Sequence, residues 1–242
     1  MAHIAVLGLG NWGTAIARLW LLEGHKVTGW TIEQEVYESI TMSETNEKYL
    51  PNNPVPGLDA TMHLSEAVEG AEIVVLAVPS SVILDVMEDV LPHLQPGHVL
   101  LDLAKGLAPG KRLISEAIHT RLKEEGKSNP LAVLTGPTIA PEAAGGVMTT
   151  ALVASEDQAI AQRLAQTLST PSFILHPASD PVGAELWGAY KNVVALACGL
   201  VDGLKQVGDL GGDNLKAALF MSGFKEGCLC LLYTSPSPRD MW

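Results

Sequence analysis

Cysteine is scarce in this chain of 242 residues, and only Cys198, Cys228 and Cys230 occur. Three cysteines at this spacing match neither a disulfide framework nor a zinc site, so we expect no disulfide and no bound metal. Also missing is any apolar run near the roughly 20 residues of a membrane span. No cationic segment precedes the apolar start MAHIAVLGLG, so a signal peptide is not expected. These absences favour a protein of the reducing cytoplasm.

Basic residues are few: 15 lysines and arginines stand against 27 aspartates and glutamates, which gives a net charge of −12. This charge disfavours a nucleic-acid partner. An anionic ligand would have to be held by particular lysines and helix amino termini, against the overall negative field. Hydrophobic residues make up 47% of the chain, which is enough for a substantial core, and the length favours one large or two modest domains.

Strand-like and helix-like segments alternate along the first 180 residues. The run AEIVVLAV at 71–78 is typical of a strand buried on both faces of a parallel sheet. Other strands are predicted at 3–7, 26–30, 97–103, 131–135, 148–154 and 172–176. Helices are predicted from the glycine-rich turn to about Leu22, from Pro79, and at 111–124 and 158–168. The pattern predicts an α/β fold with a doubly wound, Rossmann-type, mostly parallel sheet.

The strand pattern stops after Pro181. Two helices are predicted at 183–204 and 214–226, joined by the glycine-rich link QVGDLGGD. We therefore expect a dinucleotide-binding domain over residues 1–180 and the first helices of an all-helical domain over 181–226. The last residues, CLCLLYTSPSPRDMW, carry no periodicity. A solvated natural tail is one explanation, but CLLYTSPSPRD resembles translated sequencing-adapter sequence, so residues 227–242 are predicted to be non-native.

A glycine-rich turn, Gly8-Leu9-Gly10-Asn11-Trp12-Gly13, follows the first strand and opens the first helix. The glycines permit a tight turn, close approach of the backbone to a pyrophosphate, and close helix–strand packing. The free N–H groups and the positive end of the helix dipole would hold the anion. The alternative is a glycine-rich turn without a ligand. Its place between a strand and a helix favours a dinucleotide site.

An acidic residue about 20 positions further on is expected to hydrogen-bond the adenosine ribose. Glu33 lies 20 residues after Gly13, just past the second strand. A solvated charge at a helix start is the alternative. No arginine stands nearby to meet a 2′-phosphate, and a carboxylate would repel one. The sequence therefore favours NAD over NADP, although NADP remains possible.

Six motifs occur in this order: GLGNWGTAIA, KYLPN, AVPS, AKGL, TGPTIAPE and GAELWGAYKNVVALACGLVDGL. With them, over about residues 2–226, the chain resembles the glycerol-3-phosphate dehydrogenases. The resemblance implies reversible hydride transfer between NAD(P)H and dihydroxyacetone phosphate, giving sn-glycerol 3-phosphate for phospholipid synthesis. For the complete protein we expect a homodimer.

The resemblance also implies which residues act on the substrate. Lys191 matches the family's proton donor and acceptor, and Asn192 matches its usual companion. Lys105 matches a lysine that touches both substrate and cofactor. Gly136 and Thr138 match the segment that contacts the substrate phosphate, with threonine in place of the commoner serine.

Cofactor contacts are implied at Asn11 and Trp12, beside the pyrophosphate, and at Ala140. The chain departs from the family pattern in three further ways. Bacterial members commonly have serine at the position of Asn11. The NADP-using members tend to carry a basic pair where this chain has Ile32-Glu33, which agrees with a preference for NAD. The later motifs that complete the family's sites, an aspartate and a serine–arginine–asparagine cluster, have no counterpart in these 242 residues.

Two lysines suit the reduction of a phosphorylated ketone, because negative charge develops on the carbonyl oxygen and must be stabilised and protonated. Lys105 follows the strand VLLDLA and should emerge at the carboxyl edge of the sheet. Lys191 precedes nine uncharged residues, Val193–Val201, and burial would lower its pKa. The alternatives are a surface lysine in a turn at 105 and a snorkelling core lysine at 191.

Two other functions compete with this one. A related two-domain dehydrogenase acting on a 3-hydroxy acid would call for different residues around TGPTIAPE. Alternatively, the chain is an inactive dinucleotide-binding fragment whose two last helices leave apolar faces uncovered.

Overall fold

One twisted sheet dominates the computed structural model, which describes residues 1–110, 112–208 and 211–234, with side chains described to residue 229. Its strands are β1 (His3–Leu7), β2 (Lys26–Trp30), β3 (Asp59–Thr61), β4 (Ile73–Leu76), β5 (Val99–Asp102), β6 (Leu131–Thr135), β7 (Thr149–Ala154) and β8 (Phe173–Ala178). The helices are α1 (Asn11–Leu22), α2 (Gln34–Ser43), α3 (Leu64–Val68), α4 (Ile83–Val90), α5 (Ile114–Glu124), α6 (Ala140–Ala144), α7 (Gln158–Leu168), α8 (Pro181–Gly208) and α9 (Asp213–Thr234).

The strand order is β3-β2-β1-β4-β5-β6-β7-β8. The first six strands run parallel, whereas β7 pairs antiparallel with β6 and parallel with β8. The order reverses at β1, which has β2 on one side and β4 on the other, so the sheet is doubly wound and the expected fold class is confirmed. In such sheets a ligand binds at the carboxyl edge, next to the strand where the order reverses.

The reversed direction of β7 was not predicted from the sequence. The chain between β6 and β7 does not cross the sheet through a long helix. It forms the five-residue helix α6, which packs on α1, and Arg18 Nε of α1 donates a hydrogen bond to the Ala144 carbonyl oxygen at 3.2 Å. From there the chain re-enters the sheet in the opposite direction.

Several predicted boundaries are corrected. The helix expected from Pro79 begins at Ile83, and the one expected from Lys111 begins at Ile114, with Lys111 outside the described residues. The short elements β3, α3 and α6 were not predicted, because three to five residues are too few to show a period. The two last helices are longer than expected, at both ends.

The core has two layers, one on each face of the sheet. Along β1, Ile4 and Val6 face one layer while Ala5 and Leu7 face the other, as the two-residue period of a strand requires. The first layer packs against α1 and α7, with the buried Trp20 at its centre, and the second against α4 and α5. Both faces of β4 are covered, which explains its unbroken apolar sequence.

Helix α8 is unusual because only its first part is buried. Gly183, Ala184, Glu185 and Gly188 are buried, and of the residues beyond them only Val201 is. Helix α9 packs beside it, with Lys216 of α9 paired to Asp202 of α8 at 2.9 Å. Helix α9 runs through the predicted start of the non-native tail at 227. That tail remains a prediction, and residues 235–242 lie outside the described part.

Among the described residues, no helix is long and apolar enough to cross a membrane.

A buried carboxyl group lies at the end of β5. Asp102 has no exposed surface; its Oδ1 accepts a hydrogen bond from the Ala104 N–H at 2.8 Å, and its Oδ2 has no partner in the described structure. Burial raises the pKa of Asp102 well above its usual value, and the nearby Glu185 carboxylate adds to this. The folded protein therefore holds this proton more tightly than the unfolded chain does.

The difference between the folded and the unfolded pKa of Asp102 predicts a pH-dependent stability. The stabilising contribution of Asp102 is complete below its unfolded pKa of about 4 and is lost as pH rises through the raised folded pKa. As the pH rises above about 4, Asp102→Asn should therefore lose less free energy of unfolding than the unmodified chain, as measured by urea denaturation. Asp59→Asn, at an exposed strand position, is the control. Parallel curves for all three proteins would contradict the assignment.

Candidate functional site

A cleft of about 920 Å³ opens at the carboxyl edge of the parallel strands. Its walls come from the segments that follow β1, β2, β4, β5 and β6, so residues far apart in sequence meet there. This is the edge at which open α/β sheets bind ligands. Of the predicted cofactor residues, all but Gly13 line this cleft: Gly8, Gly10, Asn11, Trp12, Glu33, Lys105 and Ala140.

The three glycines of the first turn serve different purposes. Gly8 has a φ of +108°, and a Cβ there would also stand 2.9 Å from the Ala77 carbonyl oxygen. A Cβ at Gly13 would stand 1.9 Å from the Gly8 carbonyl oxygen, so this glycine lets α1 pack closely on β1. A Cβ at Gly10 would meet nothing within 4 Å, because Gly10 faces the open cleft. The amino terminus of α1 therefore presents its N–H groups to the cleft without a side chain in the way.

A buried asparagine, which was not predicted from the sequence, stabilises this turn through hydrogen bonds. Asn46 is fully buried, and its Nδ2 donates to the Leu9 carbonyl oxygen and to Thr14 Oγ1, both at 2.8 Å. Thr14 Oγ1 itself donates to the same Leu9 carbonyl at 3.2 Å. Asn46 stands two residues before the motif KYLPN, so the motif marked the right segment but not the residue that supports the turn.

The other predicted cofactor positions differ in exposure. Asn11 is exposed at the start of α1. Trp12 also lines the cleft, and its ring packs edge-on against Phe173 of the core, with centroids 6.0 Å apart. Ala140 is nearly buried at the start of α6 and forms part of the cleft floor.

Glu33 lies on the wall of the cleft that follows β2, next to Tyr49. Its carboxylate accepts a hydrogen bond from the Tyr49 hydroxyl at 2.8 Å and forms an ion pair with Lys48. The Lys48 hydrogen bond, with that of Tyr49, lowers the pKa of Glu33, so this group is charged at neutral pH. Sequence reasoning found Glu33 but not these two partners.

Lys105 follows β5 and reaches across to the loop after β6. Its Nζ donates a hydrogen bond to Thr138 Oγ1 at 3.0 Å, which brings together two residues predicted to contact the substrate. Burial, and then the charge of Lys191, lower the pKa of Lys105 to about 8. The alternative of a freely solvated turn lysine does not fit this geometry.

Lys191 reaches the same loop from α8. Its Nζ donates to the Gly136 carbonyl oxygen at 2.6 Å, and burial lowers its pKa. The helix can come this close because Gly188 lies over Thr135, where a Cβ would stand 2.5 Å from the threonine hydroxyl oxygen. Four of the five predicted substrate-site residues thus meet at one loop: Lys105, Gly136, Thr138 and Lys191.

A second buried acid, Glu185, was likewise not predicted from the sequence, and it holds α8 against the start of α5. Both carboxylate oxygens of Glu185 accept hydrogen bonds from the amino terminus of α5: from the Ile114 N–H, from the Ser115 N–H at 3.3 Å and from the Ser115 hydroxyl at 2.5 Å. The carboxylate satisfies the first N–H groups of that helix, where its charge also favours the helix dipole. Burial nevertheless raises the pKa of Glu185. The glutamate stands six residues before Lys191, so it anchors the part of α8 that carries the lysine.

Asn192, the fifth predicted substrate residue, is not brought to this loop. It is exposed and lines a separate shallow groove on α8 with Ala195 and Leu196. Its neighbour Lys191 points to the sheet instead, because adjacent residues on a helix face directions about 100° apart.

In the described part of the chain no group of three or more histidine, cysteine, aspartate or glutamate side chains is placed to hold a metal ion. Cys198 and Cys228 are free thiols.

Comparison with known families accounts for this arrangement. Residues 3–161 match the family described as NAD-dependent glycerol-3-phosphate dehydrogenase N-terminus, and residues 180–232 match the corresponding C-terminus. The chain belongs to this family. The resemblance drawn from the six motifs is confirmed.

Curated members of the glycerol-3-phosphate dehydrogenase family match most of the chain. A glycerol-3-phosphate dehydrogenase [NAD(P)+] of Rhodospirillum rubrum is 41% identical over 226 residues, covering 93% of this chain and 62% of its own length. One from Fusobacterium nucleatum is 36% identical over 228 residues, covering 93% of this chain and 66% of its own. The chain thus spans somewhat less than two thirds of these relatives.

The fold also matches solved members of the family. The crystal structure of glycerol-3-phosphate dehydrogenase from Coxiella burnetii superposes with a TM-score of 0.86 and 32% identity, covering 97% of this chain and 70% of that one.

The glycine turn yields a paired prediction. Gly13→Ala should destabilise the fold and remove NADH binding, because the new methyl group would collide with backbone that cannot move aside. Gly10→Ala should leave thermal unfolding within a few degrees and still weaken NADH binding by about tenfold, since its methyl group would stand where the pyrophosphate approaches. Calorimetric titration and a thermal melt measure both. Equal melting temperatures for the two variants would contradict the division of roles.

Proposed function

We propose that this chain carries the cofactor site and the two substrate lysines of a glycerol-3-phosphate dehydrogenase, which interconverts dihydroxyacetone phosphate and sn-glycerol 3-phosphate with a nicotinamide dinucleotide. The observation that carries the proposal is the meeting of Lys105 and Lys191 at the Gly136–Thr138 loop, beside a cleft that begins at a glycine turn. Membership of the family and the named activity of its relatives support it.

The cleft suits a dinucleotide. Gly10 leaves open space at the amino terminus of α1, where the helix dipole and N–H groups favour a pyrophosphate. Glu33 is assigned the contact to a ribose hydroxyl, and its charge and its two partners, Lys48 and Tyr49, support this assignment. When bound there, a reduced nicotinamide would supply the hydride for C2 of the ketone. NAD is the favoured cofactor, and NADP is also accepted by the relatives as they are named.

The lysines would handle the charge on the substrate. A hydride added to C2 leaves negative charge on the carbonyl oxygen, and an ammonium group at that oxygen stabilises and then protonates it. Lys191 is assigned the proton transfer, because the Gly136 carbonyl fixes its Nζ and burial makes its proton easier to release. Lys105 is assigned the polarisation of the carbonyl and the contact to the phosphate, together with Thr138.

The organisation proposed from the sequence is kept: a cofactor domain over 1–180 and the start of a helical substrate domain over 181–226. A cytoplasmic location and a homodimer of the complete protein are part of the same proposal. The homologous C-terminal match beginning at residue 180 supports the boundary.

A second function, a dinucleotide-binding module without turnover, is favoured by one observation. Large apolar side chains are exposed on the two last helices, among them Leu196, Leu200, Val207, Phe220, Met221 and Phe224. Calorimetric titration with NADH beside a turnover assay on dihydroxyacetone phosphate separates the two functions. Binding without turnover supports the module, and absence of binding contradicts both. A higher rate on 3-hydroxyisobutyrate, assayed with NAD, would instead identify a 3-hydroxy-acid dehydrogenase.

Substitution of Lys191 tests the proton-transfer assignment. Lys191→Met should lower turnover by about 100-fold or more, the usual contribution of a positioned acid or base, while the Kd for NADH changes little. Lys225→Met, on the exposed face of α9, is the matched control and should retain both. Turnover of Lys191→Met equal to that of the unmodified chain would remove Lys191 from the mechanism.

Lys105 gives a pH prediction. Its ammonium form is present below its pKa of about 8 and is lost above it. The affinity for sn-glycerol 3-phosphate, measured calorimetrically with NADH bound, should therefore fall between about pH 7 and about pH 9. Lys105→Met should bind the phosphate more weakly and with a flatter pH dependence. An affinity that stays constant over this range in the unmodified chain would count against a charged Lys105 in the phosphate site.

A further inference from the structure

Three polar side chains form a cluster at the β2 side of the cleft, which we call the ribose cluster: Glu33, Lys48 and Tyr49. The Lys48 Nζ lies 2.5 Å from Glu33 Oε2, and the Tyr49 hydroxyl donates to Glu33 Oε1 at 2.8 Å. Lys48 also pairs with Glu35, the second residue of α2. Each carboxylate oxygen of Glu33 thus has its own partner, which gives the group a defined orientation at the cleft wall.

The position of this cluster matters for cofactor choice. Glu33 comes just after β2, the strand beside β1, on the side of the glycine turn where a doubly wound sheet holds the adenosine ribose. An acidic residue there accepts a hydrogen bond from the 2′-hydroxyl of NAD. The same place must hold the extra phosphate of NADP, so whatever surrounds Glu33 decides between the two.

The charges in the cluster do not all favour NAD. Glu33 and Glu35 would repel a 2′-phosphate, but the Lys48 ammonium is already at Glu33 and its side chain is 41% exposed. An exposed ion pair is held by little free energy, because water screens it. Lys48 can therefore exchange a carboxylate for a phosphate at small cost.

We propose that Lys48 determines tolerance for NADP: Glu33 binds the 2′-hydroxyl of NAD, and Lys48 turns from Glu33 to the 2′-phosphate when NADP binds. This rests on the proposed nicotinamide-dinucleotide site. Lys48 is then a specificity-determining residue, and the chain binds both cofactors with a preference for NAD. The alternative is that Lys48 only orients Glu33, in which case its loss would affect NAD at least as much.

Binding measurements separate these roles without any turnover. The Kd values of NADH and NADPH are measured by calorimetry on the unmodified chain and on Lys48→Met. We expect Lys48→Met to weaken NADPH by about tenfold, the size of one charge-assisted hydrogen bond, and to change NADH by less than about threefold. Added salt should weaken NADPH binding to the unmodified chain more than to Lys48→Met.

Two further variants sharpen the result. Glu33→Gln removes one repelling charge and frees Lys48, so the ratio of NADPH to NADH affinity should rise by about tenfold. Lys26→Met removes the same charge at the exposed start of β2, at the opposite edge of the sheet, and should leave that ratio unchanged. All three substituted positions are at least partly exposed, and a thermal melt verifies that each variant folds.

Equal weakening of NADH and NADPH in Lys48→Met, or no change in either, would overturn the proposal. A fall in the ratio for Lys26→Met as large as for Lys48→Met would also overturn it, since the effect would then be one of net charge. If the unmodified chain binds neither cofactor, the proposed function itself fails, and this inference fails with it.

Discussion

A methyl group on Gly13 would stand 1.9 Å from the carbonyl oxygen of Gly8, so no side chain fits between the first helix and the turn that follows the first strand. This contact sets the direction in which α1 leaves the sheet and leaves its amino terminus facing open space. Asn46, from a loop far along the chain, fixes the same turn through the Leu9 carbonyl. The cleft exists because the backbone at this point is fixed from both sides, and the residues after β2 and β5 then have a defined place to meet.

The charge gathered at the site is opposite in sign to the net charge of the molecule. The chain carries a net charge of −12, yet Lys105 and Lys191 both reach the loop after β6. Burial lowers the pKa of both, and the charge of Lys191 further lowers that of Lys105. An anionic substrate would relieve this mutual repulsion, which makes a phosphorylated ligand a better fit than a neutral one.

The elements that could be predicted from the sequence are those with a regular hydrophobic pattern or a fixed motif spacing. Buried parallel strands such as β4 are apolar throughout, and the glycine turn has a spacing that few other structures require. Lys105 was placed correctly at the carboxyl edge because it directly follows β5. What the sequence did not show depends on contacts between distant segments. The reversed β7 follows from α6 packing on α1, and Asn46 and Glu185 look like ordinary polar residues until the fold buries them. The family resemblance implied a substrate contact for both Lys191 and Asn192, but Asn192 lines a different groove from that of Lys191.

Helix α8 divides at Lys191. Before it, Glu185 binds the amino terminus of α5 and Gly188 packs on Thr135, so this half is fixed to the sheet domain. After it, α8 is supported mainly by α9, and its apolar side chains are largely exposed. Lys191 belongs to the fixed half, because its Nζ is held by the Gly136 carbonyl at the end of β6. The position of the lysine therefore depends on residues that precede it and on the sheet, and not on what covers the far half of the helix.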